Sequence, residues 1–66
     1  MKKFKVTVTD QMFGELTGEF LAKNARKAGI EAQKFYASEL GELPDNIQIK
    51  SIERIKITFQ TIKQLL

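Results

Sequence analysis

The 66-residue sequence contains no cysteine and no histidine. Without cysteine, neither disulfides nor thiolate metal sites can reinforce a small fold. Histidine and cysteine also supply most of the bases, nucleophiles and transition-metal ligands that work near neutral pH. We therefore expect a protein that is not an enzyme and that holds no metal and no cofactor.

Long apolar runs and phosphate-binding loops are missing as well. No apolar stretch approaches the ~18 residues that a membrane span requires. The start, Met1-Lys2-Lys3, leads into an alternating segment instead of the apolar core of a signal peptide. Gly14 and Gly18 do not precede the lysine and hydroxyl pair of a phosphate loop. We expect a cytoplasmic protein without a membrane segment.

The chain is long enough for one domain, residues 1–66, with a small core. A domain of this size buries only about 60% of the surface that its unfolded chain exposes. Because disulfides are excluded, packing and self-association are the remaining ways to stabilise it. We therefore predict that the chain forms a homo-oligomer.

Residues 3–9 alternate between apolar and polar side chains, which predicts a strand with one face in water. Residues 10–24 fit either a strand or a helix. We favour the strand because Gly14 and Gly18 would each cost a helix about 1 kcal/mol. A loop over residues 10–15 would then close a hairpin. One face of the second strand would hold Leu16, Gly18, Phe20 and Ala22.

The spacing becomes helical after Asn24, with apolar residues at steps of three and four. Asn24 is a suitable N-cap and Gly41 a suitable left-handed C-terminal end. Gly29 is the weak point of this prediction, because it could instead end a shorter, earlier helix. Glu39 and Glu42 have helical spacing, and we interpret them as a solvated face. The stripe that faces a sheet is predicted to contain Ala25, Ala28, Ala32, Phe35, Tyr36 and Leu40.

The last third of the chain has strand spacing over residues 47–59, where odd positions are apolar except Ser51 and Glu53. At roughly 3.3 Å per residue, thirteen residues would extend about 43 Å. A compact chain of this length is only about 28 Å across. The segment must therefore bend, break or project towards a partner.

Ile52 alone points to the other face. A β-bulge or a sharp bend between Lys50 and Arg54 would bring the apolar groups 47/49 and 55/57/59 onto one core. Without a bend, two cores are implied, one under the helix and the other in a neighbouring molecule. The predicted fold class is α+β, a small antiparallel sheet with one helix packed across it. The element order is β-β-α-β, and the last strand is long and either bent, bulged or split in two.

The net charge of +3 lies entirely in residues 1–29. Lys23, Arg26 and Lys27 surround the predicted N-terminus of the helix, where the macrodipole disfavours cations by about 0.3–1 kcal/mol each. Free helix amides and cations together suit a phosphate or a carboxylate. Lys3 and Lys5 add positive charge on the solvent-exposed face of the first strand. Tolerated surface charge and protection of a sheet edge explain the same residues without a ligand.

Two functional hypotheses follow. The first is a protein-interaction module that self-associates, or docks on a partner protein, through its last strand and apolar tail by main-chain hydrogen bonding. The residues predicted for this contact are Ile52, Arg54, Lys56, Ile62, Leu65 and Leu66. The alternative is a nucleic-acid-associated protein. Its binding residues would be Lys3, Lys5, Lys23, Arg26 and Lys27.

In size and composition the chain resembles the small accessory proteins of phages and mobile elements, which include inhibitors of host enzymes. This resemblance implies a host protein as the partner. It identifies no binding residues.

Overall fold

The computed structural model describes residues 1–56. It contains strands β1 (Lys2–Asp10) and β2 (Gly14–Ala22), helix α1 (Ala25–Leu40), a 3-10 turn (Pro44–Asn46) and strand β3 (Gln48–Ile55). The strands form one antiparallel sheet in the order β2-β1-β3, so that β1 is central and the other two are edge strands. The helix packs across one face of the sheet. The predicted α+β class and the order β-β-α-β are confirmed.

The first two strands form a tight hairpin, which confirms the strand interpretation of residues 14–22. The chain turns over residues 11–13, and Gly14 has a φ of 77°, a left-handed conformation that favours glycine. One carboxylate oxygen of Asp10 accepts hydrogen bonds from the backbone N–H groups of Met12 and Phe13, at 2.9 and 3.0 Å. The side chain of Asp10 therefore organises the turn.

Both predicted ends of the helix are confirmed. The Asn24 side-chain oxygen accepts a hydrogen bond from Lys27 N at 2.9 Å, and Gly41 ends the helix with a φ of 68°. The buried face differs in part from the predicted stripe. Ala25 is exposed and Phe35 is 49% exposed, because Gly29 and Ala37 take inward positions instead.

Gly29 does not interrupt the helix; it allows the helix to lie directly on β3. A β-carbon at this position would stand 2.6 Å from Ile49 Cδ1 and 3.1 Å from Ile52 Cδ1. Distances this short are less than ordinary van der Waals contact. The absence of a side chain thus sets the close spacing between helix and sheet.

Strand β3 contains the predicted bulge, at the beginning of the range in which it was expected. Ser51 lies opposite Thr7 and Ile49 opposite Val8, so Lys50 is the extra residue. The expected consequence was wrong, however. The extra residue reverses the alternation, and it turns Ile52 towards the helix and Ile55 to the open face of the sheet, opposite Lys3. Residues 57–59 of the predicted strand lie outside the described residues.

The core lies between α1 and the sheet and is built largely of small side chains. The bulkiest fully buried residues are Ile47, Val6 and Val8. Half-buried side chains from the two edge strands, β2 and β3, and from the helix close its margins. The buried apolar residues are Phe4, Val6, Val8, Ala22, Ala28, Ala32, Ala37 and Ile47.

Candidate functional site

Strand β3 forms one edge of the sheet, and within residues 1–56 no strand pairs with its outer side. Arg54 is exposed on this strand and Lys56 directly after it. Ile52 is half-buried and packs against the core, so its side chain supports the chain's own fold. The other residues predicted for the partner contact, Ile62, Leu65 and Leu66, lie outside the described residues.

The open face of the sheet carries charges of both signs that neutralise one another. Lys3 Nζ lies 3.5 Å from a carboxylate oxygen of Glu19, and Lys50 Nζ lies 2.7 Å from one of Glu15. Lys5 stands opposite Glu19 on one neighbouring strand and Glu53 on the other. Exposed ion pairs of this kind add only ~0–1 kcal/mol each to stability. Their functional effect is that the face is not a basic surface.

The five residues predicted for nucleic-acid binding fall into two separate groups. Lys23, Arg26 and Lys27 are exposed around the N-terminus of α1, and no acidic residue lies in the first turn of the helix. Lys3 and Lys5 project from the open face of the sheet, which is the face opposite the helix. Only the first group forms a local excess of positive charge.

A pair of carboxyl groups joins the hairpin to the end of the helix. Asp10 is 5% exposed, and its side chain lies beside that of Glu42, which follows the helix cap. Neither Asp10 Oδ1 nor Glu42 Oε2 has a donor among the described residues. Two carboxyl groups in contact satisfy these oxygens by sharing one proton.

The shared hydrogen bond shifts the two pKa values in opposite directions. The bond to Asp10 raises the pKa of Glu42 above its ordinary 4.5, and burial and the charge of Asp10 add to the effect. The bond to Glu42 lowers the pKa of Asp10 below its ordinary 3.8, assisted by the turn amides and opposed by burial. A proton shared by the pair is therefore expected to reside on Glu42.

An acidic groove of about 570 Å³ opens beside this pair. Asp45 from the 3-10 turn lines it together with amide side chains from the turn and from β3. In the described part of the chain no three carboxylates converge in a metal-binding arrangement.

The carboxyl pair was not predicted, because the helical spacing relates Glu42 to Glu39 and not to Asp10. The actual partner, Asp10, is 32 positions away along the chain. A sequence signal exists only for Asp10, which precedes a turn and is a residue type that binds turn amides. The contact between Asp10 and Glu42 forms because the fold brings the C-terminal end of the helix beside the hairpin.

Three aromatic rings cluster beside strand β2. The ring centroids of Phe20, Phe35 and Tyr36 lie 5.2–5.9 Å apart in edge-to-face arrangements. The Tyr36 hydroxyl rests against Gly18, where a β-carbon would stand 2.5 Å from it. Burial raises the pKa of Tyr36. Because Phe35 is 49% exposed, the cluster reaches the surface.

No helix in the described residues is both long and apolar enough to span a membrane. Comparison with known proteins gives no match to a family model, to a curated protein or to a solved structure.

Proposed function

We propose that this protein is a non-enzymatic interaction module that binds a partner protein, either another chain or a second copy, by strand addition to the edge of β3. The observation that carries the proposal is the sheet order, which leaves the outer side of β3 without a partner strand in residues 1–56. An unpaired edge presents N–H and C=O groups to which an extended segment can bond.

The charges and the bulge on the β3 edge favour selective binding. Glu53, Arg54 and Lys56 are exposed and carry both signs of charge, and the bulge at Lys50 interrupts the regular ladder. Bulges and charges discourage indiscriminate pairing between edges. A partner strand with complementary charges would be accepted, while one with like charges would be rejected.

The proposal extends to cell location and to the class of partner. A chain without cysteine fits a reducing compartment, and we propose the cytoplasm. The size and composition shared with accessory proteins of phages and mobile elements favour a host protein as the partner.

Site-specific photo-crosslinking in the native host tests the proposal. A photoreactive residue at Arg54 is expected to capture a defined protein, because this exposed position lies on the β3 edge. Lys34, which is exposed on the helix, is the matched control position and should not give the same adduct. If Arg54 captures nothing, or if both positions give the same adducts, the β3 edge is not the binding surface.

Sedimentation at micromolar concentration then identifies the partner as a second copy or as another protein. Self-association through β3 and the tail predicts an oligomer that deletion of residues 61–66 weakens. A strict monomer that still gives the Arg54 adduct indicates a different protein. A strict monomer without that adduct contradicts the proposal.

Nucleic-acid binding is a second candidate, favoured by the exposed cations Lys23, Arg26 and Lys27 at a helix N-terminus without an acidic neighbour in the first turn. Such binding is strongest at low salt, because it depends on the release of counterions. A gel shift at low salt that Lys23→Glu with Lys27→Glu removes would support this function. No shift even at low salt would exclude it.

A further inference from the structure

The outer edge of β2 differs from that of β3. All nine residues of β2 pair with β1 in one unbroken register, without a bulge. The strand contains no lysine, arginine or proline, which are among the devices that keep an edge from pairing. No strand within residues 1–56 covers its outer side. Strand β2 is therefore the edge that is better suited to continuous pairing.

The sequence of β2 is complementary to itself when two copies run antiparallel around Gly18. In this register Glu15 lies opposite Leu21, Thr17 opposite Glu19, and Leu16 opposite Phe20 of the second copy. Apolar residues meet on the helix side, and no two like charges stand opposite each other. The whole strand, from Gly14 to Ala22, is paired.

Neighbouring registers that keep the same faces together are poorer. An axis at Thr17 places Glu15 opposite Glu19 of the second copy, and an axis at Glu19 places that residue opposite itself. Like charges directly opposite each other destabilise a strand pair. Among these registers, the one with the longest overlap is the one in which no two glutamates stand directly opposite each other.

The helix side of this edge provides apolar surface for such a contact. Leu16 and Phe20 are half-buried, and Phe35, which is 49% exposed, packs edge-to-face on Phe20. On the other face Leu21 is 60% exposed beside the charged residues. We propose that two copies of the chain associate through antiparallel β2 strands related by a two-fold axis at Gly18, forming a continuous six-stranded sheet. This inference does not depend on a partner at β3.

Opposite charges introduced at Leu21 test both the association and its register. In the proposed dimer Leu21→Lys creates two ion pairs with Glu15 of the other copy, whereas Leu21→Glu creates two repulsive pairs. The dimer dissociation constant, measured by sedimentation equilibrium, is expected to be about tenfold or more higher for Leu21→Glu than for Leu21→Lys. Leu43, which is 70% exposed outside the strands, is the matched control, and its Lys and Glu variants should not differ in this way.

A charge reversal identifies the pairing partner. Adding Glu15→Lys to Leu21→Glu restores opposite charges across the interface and is expected to recover the association. The proposal is overturned if the wild-type chain and Leu21→Lys remain monomeric up to millimolar concentration. It is also overturned if both Leu21 variants associate equally, or if the reversal has no effect. Circular dichroism of each variant checks that the exposed substitutions leave the fold intact.

Discussion

At the scale of single residues, Gly18 makes room for the large side chain of Tyr36. Its missing β-carbon leaves space for the Tyr36 hydroxyl, and the Phe20 ring lies 3.1 Å from the same point. Gly18→Ala therefore forces two aromatic rings to move. We expect the variant to lose about 1–3 kcal/mol of unfolding free energy, as overpacked sites do, measured by urea denaturation.

A double-mutant cycle tests whether the Tyr36 hydroxyl causes this loss of unfolding free energy. In a Tyr36→Phe background the nearest atom to the added methyl group is gone, and Gly18→Ala should cost clearly less than it does in the wild type. The coupling between the two positions is then the difference between the two costs. If Gly18→Ala lowers the unfolding free energy equally in both backgrounds, the contact with Tyr36 is not the reason that position 18 requires glycine.

The pair of Asp10 and Glu42 predicts an unusual dependence of stability on pH. The pKa of Glu42 is raised in the fold, so its contribution is present at low pH and is lost as pH rises through that raised value. The pKa of Asp10 is lowered, so its contribution is lost only as pH falls through that lowered value. The pair therefore stabilises the fold most in the acidic interval between these two pKa values.

Glu42→Gln tests whether the carboxyl pair causes this pH dependence. The amide of the variant can donate to Asp10 regardless of its own titration, whereas the wild-type glutamate donates only while the pH is below its raised pKa. We expect the urea midpoint of the variant to exceed that of the wild type at pH 7.5 and to approach it near pH 4.5. Parallel curves for the two proteins across this range would show that the proton is not shared. Glu39→Gln, at an exposed position on the helix, is the control.

At the scale of secondary-structure elements, the features set by short-range chemistry were predictable. The alternation of β1, the cap at Asn24 and the end at Gly41 depend on residues close together in sequence, and each is confirmed. The inward turn of Ile52 was not predictable. The orientation of Ile52 depends on the position of the bulge, which the structure places at Lys50. A bulge at Glu53 would fit the same sequence pattern but would turn different side chains towards the core.

The charges of helix α1 oppose its macrodipole, because cations lie in its first turn and no basic residue lies in its last turn. Arg26→Glu places a negative charge at the positive pole. We expect a gain of about 0.3–1 kcal/mol at low salt, measured by thermal or urea unfolding, that decreases as salt is added. Lys34→Glu makes the same change of charge in the middle of the helix and should gain less. If the two variants gain equally, relief of the net positive charge is the cause and not the helix dipole.

At the scale of the whole molecule, the candidate surfaces arise from topology more than from any motif. The helix covers one face of a three-stranded sheet, and the central position of β1 leaves β2 and β3 as edges. Composition alone suggested a basic protein, but pairing across the sheet neutralises Lys3 with Glu19 and Lys50 with Glu15. The strands and the helix were predictable in sequence order, whereas these cross-strand neighbours depend on the sheet order and the register.

The small core makes the whole fold sensitive to one large buried residue. Ile47 is 1% exposed, and its carbonyl accepts a 2.8 Å hydrogen bond from the Gln33 side chain. Replacing a buried isoleucine with alanine costs about 2–5 kcal/mol, whereas a core in a chain of this size rarely supplies more than about 3–5 kcal/mol. Ile47→Ala is therefore expected to be largely unfolded at 25 °C by circular dichroism. Ile30→Ala removes the same atoms from a 39% exposed helix position and should remain folded. A fully folded Ile47→Ala with an unchanged urea midpoint would mean that the stability of the molecule does not depend on this core.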